Sequence, residues 1–192
     1  MESEKSLSKA QEFVKNQEEK EAQLTSGFML SGKKINELGL IKGLLNEEQQ
    51  IQPAGVDFTL KQLAALDSAG VIDFDNTRRS LPKFNTIEFE DDFVTLNPGA
   101  YLAEFNETVS MPNNIIGIMR TRSSVFRSGA TLTAGVIDPG YSGSVGALLQ
   151  VWNSKGITLG RNAKLVQWIF AEVSNPSERG YEGVYKDAKS MF

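Results

Sequence analysis

The chain has 192 residues, 40% hydrophobic and 23% charged, with a formal net charge of -4; this suits one soluble domain plus an appendage and leaves no global basic footprint for nucleic acid. With 0 cysteines and 0 histidines it excludes disulfides, thiolate zinc sites, His-dependent triads and zinc-type base deamination, so any metal is a hard ion such as Mg²⁺, carried most simply on substrate phosphates. No apolar run approaches the roughly 18 residues of a membrane span, and the charged opening MESEKSLSKAQEF lacks the apolar stretch of a secretory signal, so the expected location is the cytoplasm.

Residues 1–24 are rich in Glu, Lys, Gln and Ala, which favour helix, and 1–28 read as a helical arm. Leu7, Ala10, Phe13 and Val14 give it a short apolar stripe, followed by the charged run Glu18–Glu21. The pattern suits a mostly solvated arm with one weakly docked face; the sharper alternative is a contact for another subunit or partner. Helical turns are expected near 31–37, 39–44 and 61–66, the first opening at Ser31 without the acidic half of a capping box.

From about residue 55 the pattern changes to short β-favouring runs. Val56–Leu60, Thr86–Glu90, Phe93–Leu96, Tyr101–Phe105, Thr108–Met111, Ile115–Met119, Val145–Trp152, Ile157–Leu159 and Leu165–Val173 are separated by turns rich in Asn, Pro and Gly. Many short strands with such punctuation predict an antiparallel sandwich, jelly roll or barrel. Ser123–Arg127 is expected to form a single helical turn, and 174–192 an irregular tail. The organisation is therefore an arm at 1–28, a β domain at 29–173 and a tail at 174–192.

Two constellations carry chemistry. Arg122, Ser123, Ser124 and Arg127 put two cations and two hydroxyls within six residues, a set that suits a polyphosphate because guanidinium forks pair with phosphate oxygens. Asp138-Pro139-Gly140-Tyr141 offers a carboxylate for a sugar hydroxyl or a water, and a flat ring for a furanose. Each has a plainer reading, a surface Arg-Ser loop and an ordinary turn.

Five motifs in order resolve the ambiguity. Met29-Leu-Ser31, Gln52-Pro-Ala-Gly-Val-Asp57, Leu96-Asn-Pro-Gly99 with Met111-Pro112, the Arg122–Arg127 set with Ala134 through Gly143, and Lys164-Leu-Val-Gln167 with Phe170 together resemble the dUTPase/dCTP deaminase superfamily, in its dCTP deaminase-like branch. The resemblance spans roughly 29–186 and leaves the arm outside. It implies a mainly β, distorted jelly roll with short helices and an N-terminal helical extension, assembled as a homotrimer with sites between subunits. It further implies that Arg122, Ser123, Ser124, Arg127 and Gln167 bind triphosphate, that Asp138 meets the 3′-hydroxyl and that Tyr141 packs on deoxyribose. Asp57 takes a supporting catalytic role in water or phosphate positioning. Tyr181-Glu-Gly-Val-Tyr185-Lys186 is similar to a substrate-closing tail, with Tyr181 and Lys186 as the candidate contacts; Val184 stands where the family has lysine.

One position bears on the reaction. In the deaminases a glutamate three residues before an asparagine shuttles the proton; counting back from Asn153 gives Gln150. An amide cannot act as general acid and base, while its N–H can donate to a uracil carbonyl. The expected activity is hydrolysis of dUTP to dUMP and pyrophosphate with Mg²⁺, with Asp138 polarising water and the 131–136 hairpin reading the base. The alternatives are a dCTP deaminase, possibly bifunctional, and a non-catalytic nucleotide-binding regulator.

Overall fold

In a computed structural model, residues 28–174 and 180–190 are described; the Leu7, Ala10, Phe13 and Val14 stripe of the arm lies outside the described residues. In chain order the elements are β1 (Met29–Leu30), α1 (Gly32–Glu37), β2 (Ile41–Lys42), α2 (Glu47–Gln50), β3 (Ile51–Gln52), β4 (Gly55–Leu66), β5 (Phe84–Ile87), β6 (Phe93–Leu96), β7 (Gly99–Ser110), β8 (Ile115–Thr121), α3 (Ser123–Arg127), β9 (Ala130–Thr133), β10 (Ser142–Val151), β11 (Ile157–Gly160) and β12 (Lys164–Glu172). The β6 and α3 bounds are those expected from the turns around them.

The strands pair antiparallel in the order β1-β12-β4-β7-β10-β9, with β2 beside β7, β3 and β5 beside β4, and β8 beside β12; β6 and β11 pair separately. This is the curled, jelly-roll type of sheet that the strand-and-turn pattern predicts. The strand that joins its two halves is β4. Its first part pairs with β12, its second with β7 and β5, and the register with β7 shifts between Leu60 and Gln62. Phe58 links the layers at the centre, meeting Phe105 edge-on at 6.0 Å and Trp168 at 6.1 Å. Around them Leu60, Leu63, Leu149, Leu165 and Phe170 are fully enclosed.

Two helical expectations are corrected. Residues 61–66 are the second half of β4, where Leu63 and Ala64 are both buried and pair with β7 and β5; burial on a sheet outweighs the helix propensity of Lys, Gln, Leu and Ala. Residues 39–44 hold β2 instead of a helix, bracketed by Gly39 and Gly43 with φ of 63° and 81°, left-handed conformations that interrupt a helix and suit glycine. Conversely, Tyr101–Phe105 and Thr108–Met111 are not separate strands but run together in β7. The polar residues between them are held inside: Glu107 accepts from Thr59 N at 2.8 Å, Thr59 Oγ1 at 2.6 Å and Gln50 Nε2 at 2.6 Å.

After the core strands, the described part of the tail returns to the body. Asp187 N donates to Ser142 O at 2.7 Å, Ser144 N to Ala188 O at 2.8 Å, and Ser190 Oγ to the enclosed Glu104 Oε2 at 2.7 Å. These bonds lay 180–190 along the start of β10.

Candidate active site

The cationic set gathers at the junction of β4, β8 and β12. Arg122 caps the start of α3 in extended conformation, and its N–H donates to Leu165 O at 3.0 Å. Its Nε lies 3.0 Å from Asp57 Oδ2, while Nη1 donates to Lys164 O at 3.1 Å. Lys164 Nζ stands 3.8 Å from the same Asp57 oxygen and donates to Gln49 O at 2.9 Å. Asp57 is 2% exposed, and Oδ2 accepts no well-directed hydrogen bond despite its neighbours. Burial raises its pKa above the usual carboxylate value, against the lowering influence of Arg122 and Lys164. Ser123, Ser124 and Arg127 are exposed on α3.

Gln167 pairs directly with Asp57 on one side and Arg120 on the other. Directly opposed residues share a sheet face, so Asp57, Gln167 and Arg120 form one cross-strand row. Of the phosphate residues expected from the sequence, Arg122, Ser123, Ser124, Arg127 and Gln167 thus fall in one region with Asp57. Sequence reasoning missed Lys164 and Arg120 there: a lone lysine or arginine on a strand carries no signal until pairing brings it beside an aspartate or glutamine.

The second region is a cavity of about 300 Å³ on the other side of β12. Its walls are the Ala134–Asp138 loop, Tyr141, Ser144–Gly146 at the start of β10, Trp168, and Tyr181 and Tyr185 of the tail. Asp138 is exposed, so its carboxylate sits at the rim. The Tyr141 hydroxyl donates to Ser144 O at 2.5 Å, and its ring meets Tyr181 edge-on at 5.3 Å; burial raises the phenol's pKa. Gly140 has φ of 80°, and a Cβ there would approach Gly180 Cα to 2.6 Å. The turn therefore requires glycine to let the tail pass. The structure brings Asp138, Tyr141 and Tyr181 together; Tyr185 and Trp168 join them unforeseen.

Lys186 is exposed and does not line this cavity. Gln150 lies on β10 opposite Thr131 and Ala100, with Leu149 and Val151 turned into the core on either side. Its half-buried side chain therefore faces away from the core and does not line the cavity. Among the described residues no three acidic side chains cluster closely enough to hold a metal ion by themselves.

A family model described as dCTP deaminase-like matches residues 29–173. A probable deoxyuridine 5′-triphosphate nucleotidohydrolase of Archaeoglobus fulgidus is 44% identical over 162 residues, covering 82% of this chain and 95% of the relative. The deoxyuridine 5′-triphosphate nucleotidohydrolase of Methanocaldococcus jannaschii is 37% identical, over 73% of this chain and 89% of its own. The crystal structure of 2′-deoxycytidine 5′-triphosphate deaminase from Agrobacterium tumefaciens shares the fold with a TM-score of 0.60 at 18% identity; the match covers 76% of this chain and 48% of that one.

Proposed function

Because the chain belongs to the dCTP deaminase-like family, whose members differ in the reaction they perform, we propose that this one is the hydrolase, cleaving dUTP to dUMP and pyrophosphate. The observation that carries the choice is the acid inventory of the site. Between Asp138 and Glu172 the chain has no aspartate or glutamate, and β10 runs through that interval. Whatever the register of β10 against a deaminase, no carboxylate on it can shuttle a proton to a pyrimidine ring. Gln150 is one instance of that general lack.

In this reading the cavity beside Asp138 takes the deoxyuridine. Tyr141 packs on the sugar, leaving no room for a 2′-hydroxyl, and the Ala134–Val136 loop reads the base and crowds a 5-methyl group. Asp138 at the rim contacts the 3′-hydroxyl and polarises the water that attacks the α-phosphorus. Arg122, Ser123, Ser124, Arg127 and Gln167 clamp the phosphates, with Lys164 and Arg120 adding charge. Asp57 holds Arg122 in place instead of touching the water, which its burial supports. Among the described residues no carboxylate cluster would hold Mg²⁺ by itself, so the ion would be held on the triphosphate oxygens that the arginines and serines bind, where it would supply charge neutralisation.

The two regions also bear on assembly. Trp168 faces the cavity and Gln167, its chain neighbour, faces the other side of the sheet; successive strand residues point to opposite faces. One chain therefore presents nucleoside and phosphate contacts on opposite sides, and a homotrimer in which a neighbour supplies the phosphate set would complete each site. Tyr181 and Tyr185 would close the cavity, and the cytoplasm is the expected location.

Incubation with dUTP and dCTP separately, with Mg²⁺, tests the reaction: dUMP and pyrophosphate are expected from dUTP, whereas ammonia from dCTP would overturn it. Asp138→Asn should lower turnover by at least about a hundredfold with the fold retained by circular dichroism; near-normal activity would remove Asp138 from the mechanism.

A further inference from the structure

Between β4 and β5 the chain makes a long excursion, residues 67–83, that the proposed chemistry does not use. Its shape is fixed by its own hydrogen bonds. Val71 and Ser80 exchange backbone bonds at 2.7 and 2.9 Å, and Asp67 N donates to Lys83 O at 2.8 Å. At the turn, Asp73 Oδ2 accepts from Arg78 N at 2.7 Å, and Asp75 Oδ1 accepts from Thr77 N at 3.1 Å and Thr77 Oγ1 at 2.8 Å. Short acidic side chains fix turns in this way. Arg79 follows the turn directly. Its guanidinium lies over the ring of Tyr185, 5.9 Å from the centroid, within the range of a cation–π contact, and it forms no ion pair with another described residue.

Tyr185 lines the cavity, and the chain on either side of it is tied to the body. Before it, Tyr181 N donates to Pro139 O at 2.8 Å; after it, Asp187 N donates to Ser142 O and Ala188 O accepts from Ser144 N. Between these anchors the bonds are local, from Lys186 N to Gly183 O at 3.1 Å and from Ala188 N to Tyr185 O at 3.2 Å. The Tyr185 hydroxyl carries no hydrogen bond to another described residue, so the contact with Arg79 is what orients the ring from outside the tail. We propose that Arg79 is a positioning residue: the 67–83 loop holds its guanidinium against Tyr185 and so keeps that ring in the cavity wall. The inference rests on the assignment of the cavity to the nucleoside and extends the closing role of Tyr185 to the loop that supports it. A ring held in place before the nucleotide arrives loses less freedom on binding. That gain is the same for substrate and transition state, so it acts on affinity and not on the chemical step.

A double-mutant cycle of Arg79→Ala with Tyr185→Leu tests this. Arg79→Ala should weaken dUMP binding by about two- to fivefold and raise the KM for dUTP by a similar factor, with kcat unchanged. In the Tyr185→Leu background, Arg79→Ala should change nothing further. Wild-type affinity in Arg79→Ala overturns the proposal, as does an equal loss in both backgrounds or a fall in kcat at unchanged KM. Both side chains are exposed, and circular dichroism checks that the fold is kept. Should truncation of Arg79 disturb the loop, Arg79→Gln keeps the length of the side chain and removes only the charge; it should show the same loss, and wild-type affinity there overturns the proposal equally. Wild-type turnover of dUTP is measured alongside. Its absence would defeat the hydrolase reading and the role of Arg79 with it, while turnover with additive losses would defeat only the role of Arg79.

Discussion

Buried carboxylates set much of the character of this chain at the scale of single residues. Asp57 is compensated by Arg122 and Lys164, which fits a residue that orients a guanidinium better than one that activates water. Glu107 is 0% exposed and has only neutral donors around it, Thr59 and Gln50. Burial raises its pKa above the 4.5 of a free glutamate, outweighing hydrogen bonds that favour the anion. The folded form thus holds the proton more tightly than the unfolded one. Its contribution to stability is full below about pH 4.5 and is lost as pH rises through the folded pKa. Glu107→Gln removes this titration, so the variant should gain stability relative to the wild type as pH rises above that value. Urea midpoints across pH 4 to 8 check this, and parallel curves for the two proteins would contradict it.

At the scale of elements, β4 shows both what pattern reveals and where it stops. Val56–Leu60 reads as a strand because apolar, β-branched and aromatic residues cluster there, but 61–66 consists of good helix formers whose fate is decided by β7 and β5. Likewise Glu107 hides the continuity of β7, since a charged residue in a strand reads as an exit to solvent until Thr59 and Gln50 are seen to enclose it. The site follows the same rule. The Arg122–Arg127 set and the Asp138 turn are contiguous and legible, whereas Lys164 joins Asp57 through an ion pair and Trp168 reaches the cavity wall through strand pairing, contacts that only folding creates. The start of β4 carries a further constraint. A Cβ on Gly55 would lie 2.3 Å from Trp168 O and 3.2 Å from Gln167 Cγ, and the first of these is strand backbone with little room to yield. Gly55→Ala should therefore cost roughly 1–3 kcal/mol through overpacking, lowering the thermal midpoint by about 2–4 °C for each kcal/mol. A midpoint equal to that of the wild type would mean that β4 and β12 separate freely at this crossing.

On the scale of the whole molecule, the charge is negative overall at -4, while Arg120, Arg122, Arg127 and Lys164 crowd one region near β8, α3 and β12. In the proposed reading, polyphosphate is drawn to this cationic face, while the cavity assigned to the nucleoside lies on the other side of β12. The proposed trimer resolves this separation by bringing the cationic face of one subunit to the cavity of the next, a head-to-tail contact that closes under rotation. That arrangement makes a prediction no single-chain site can meet. Arg127→Ala disables the phosphate half, at an exposed side chain whose loss spares the core, and Asp138→Asn disables the nucleoside half. Each protein alone should be inactive. When the two are unfolded together and refolded, subunits assort at random, and about a quarter of the sites would combine an intact Arg127 from one chain with an intact Asp138 from its neighbour. Activity should therefore return to about a quarter of the wild-type level in the mixture. If both halves of a site came from one chain, every site would carry one lesion, and the mixture would remain as inactive as its components.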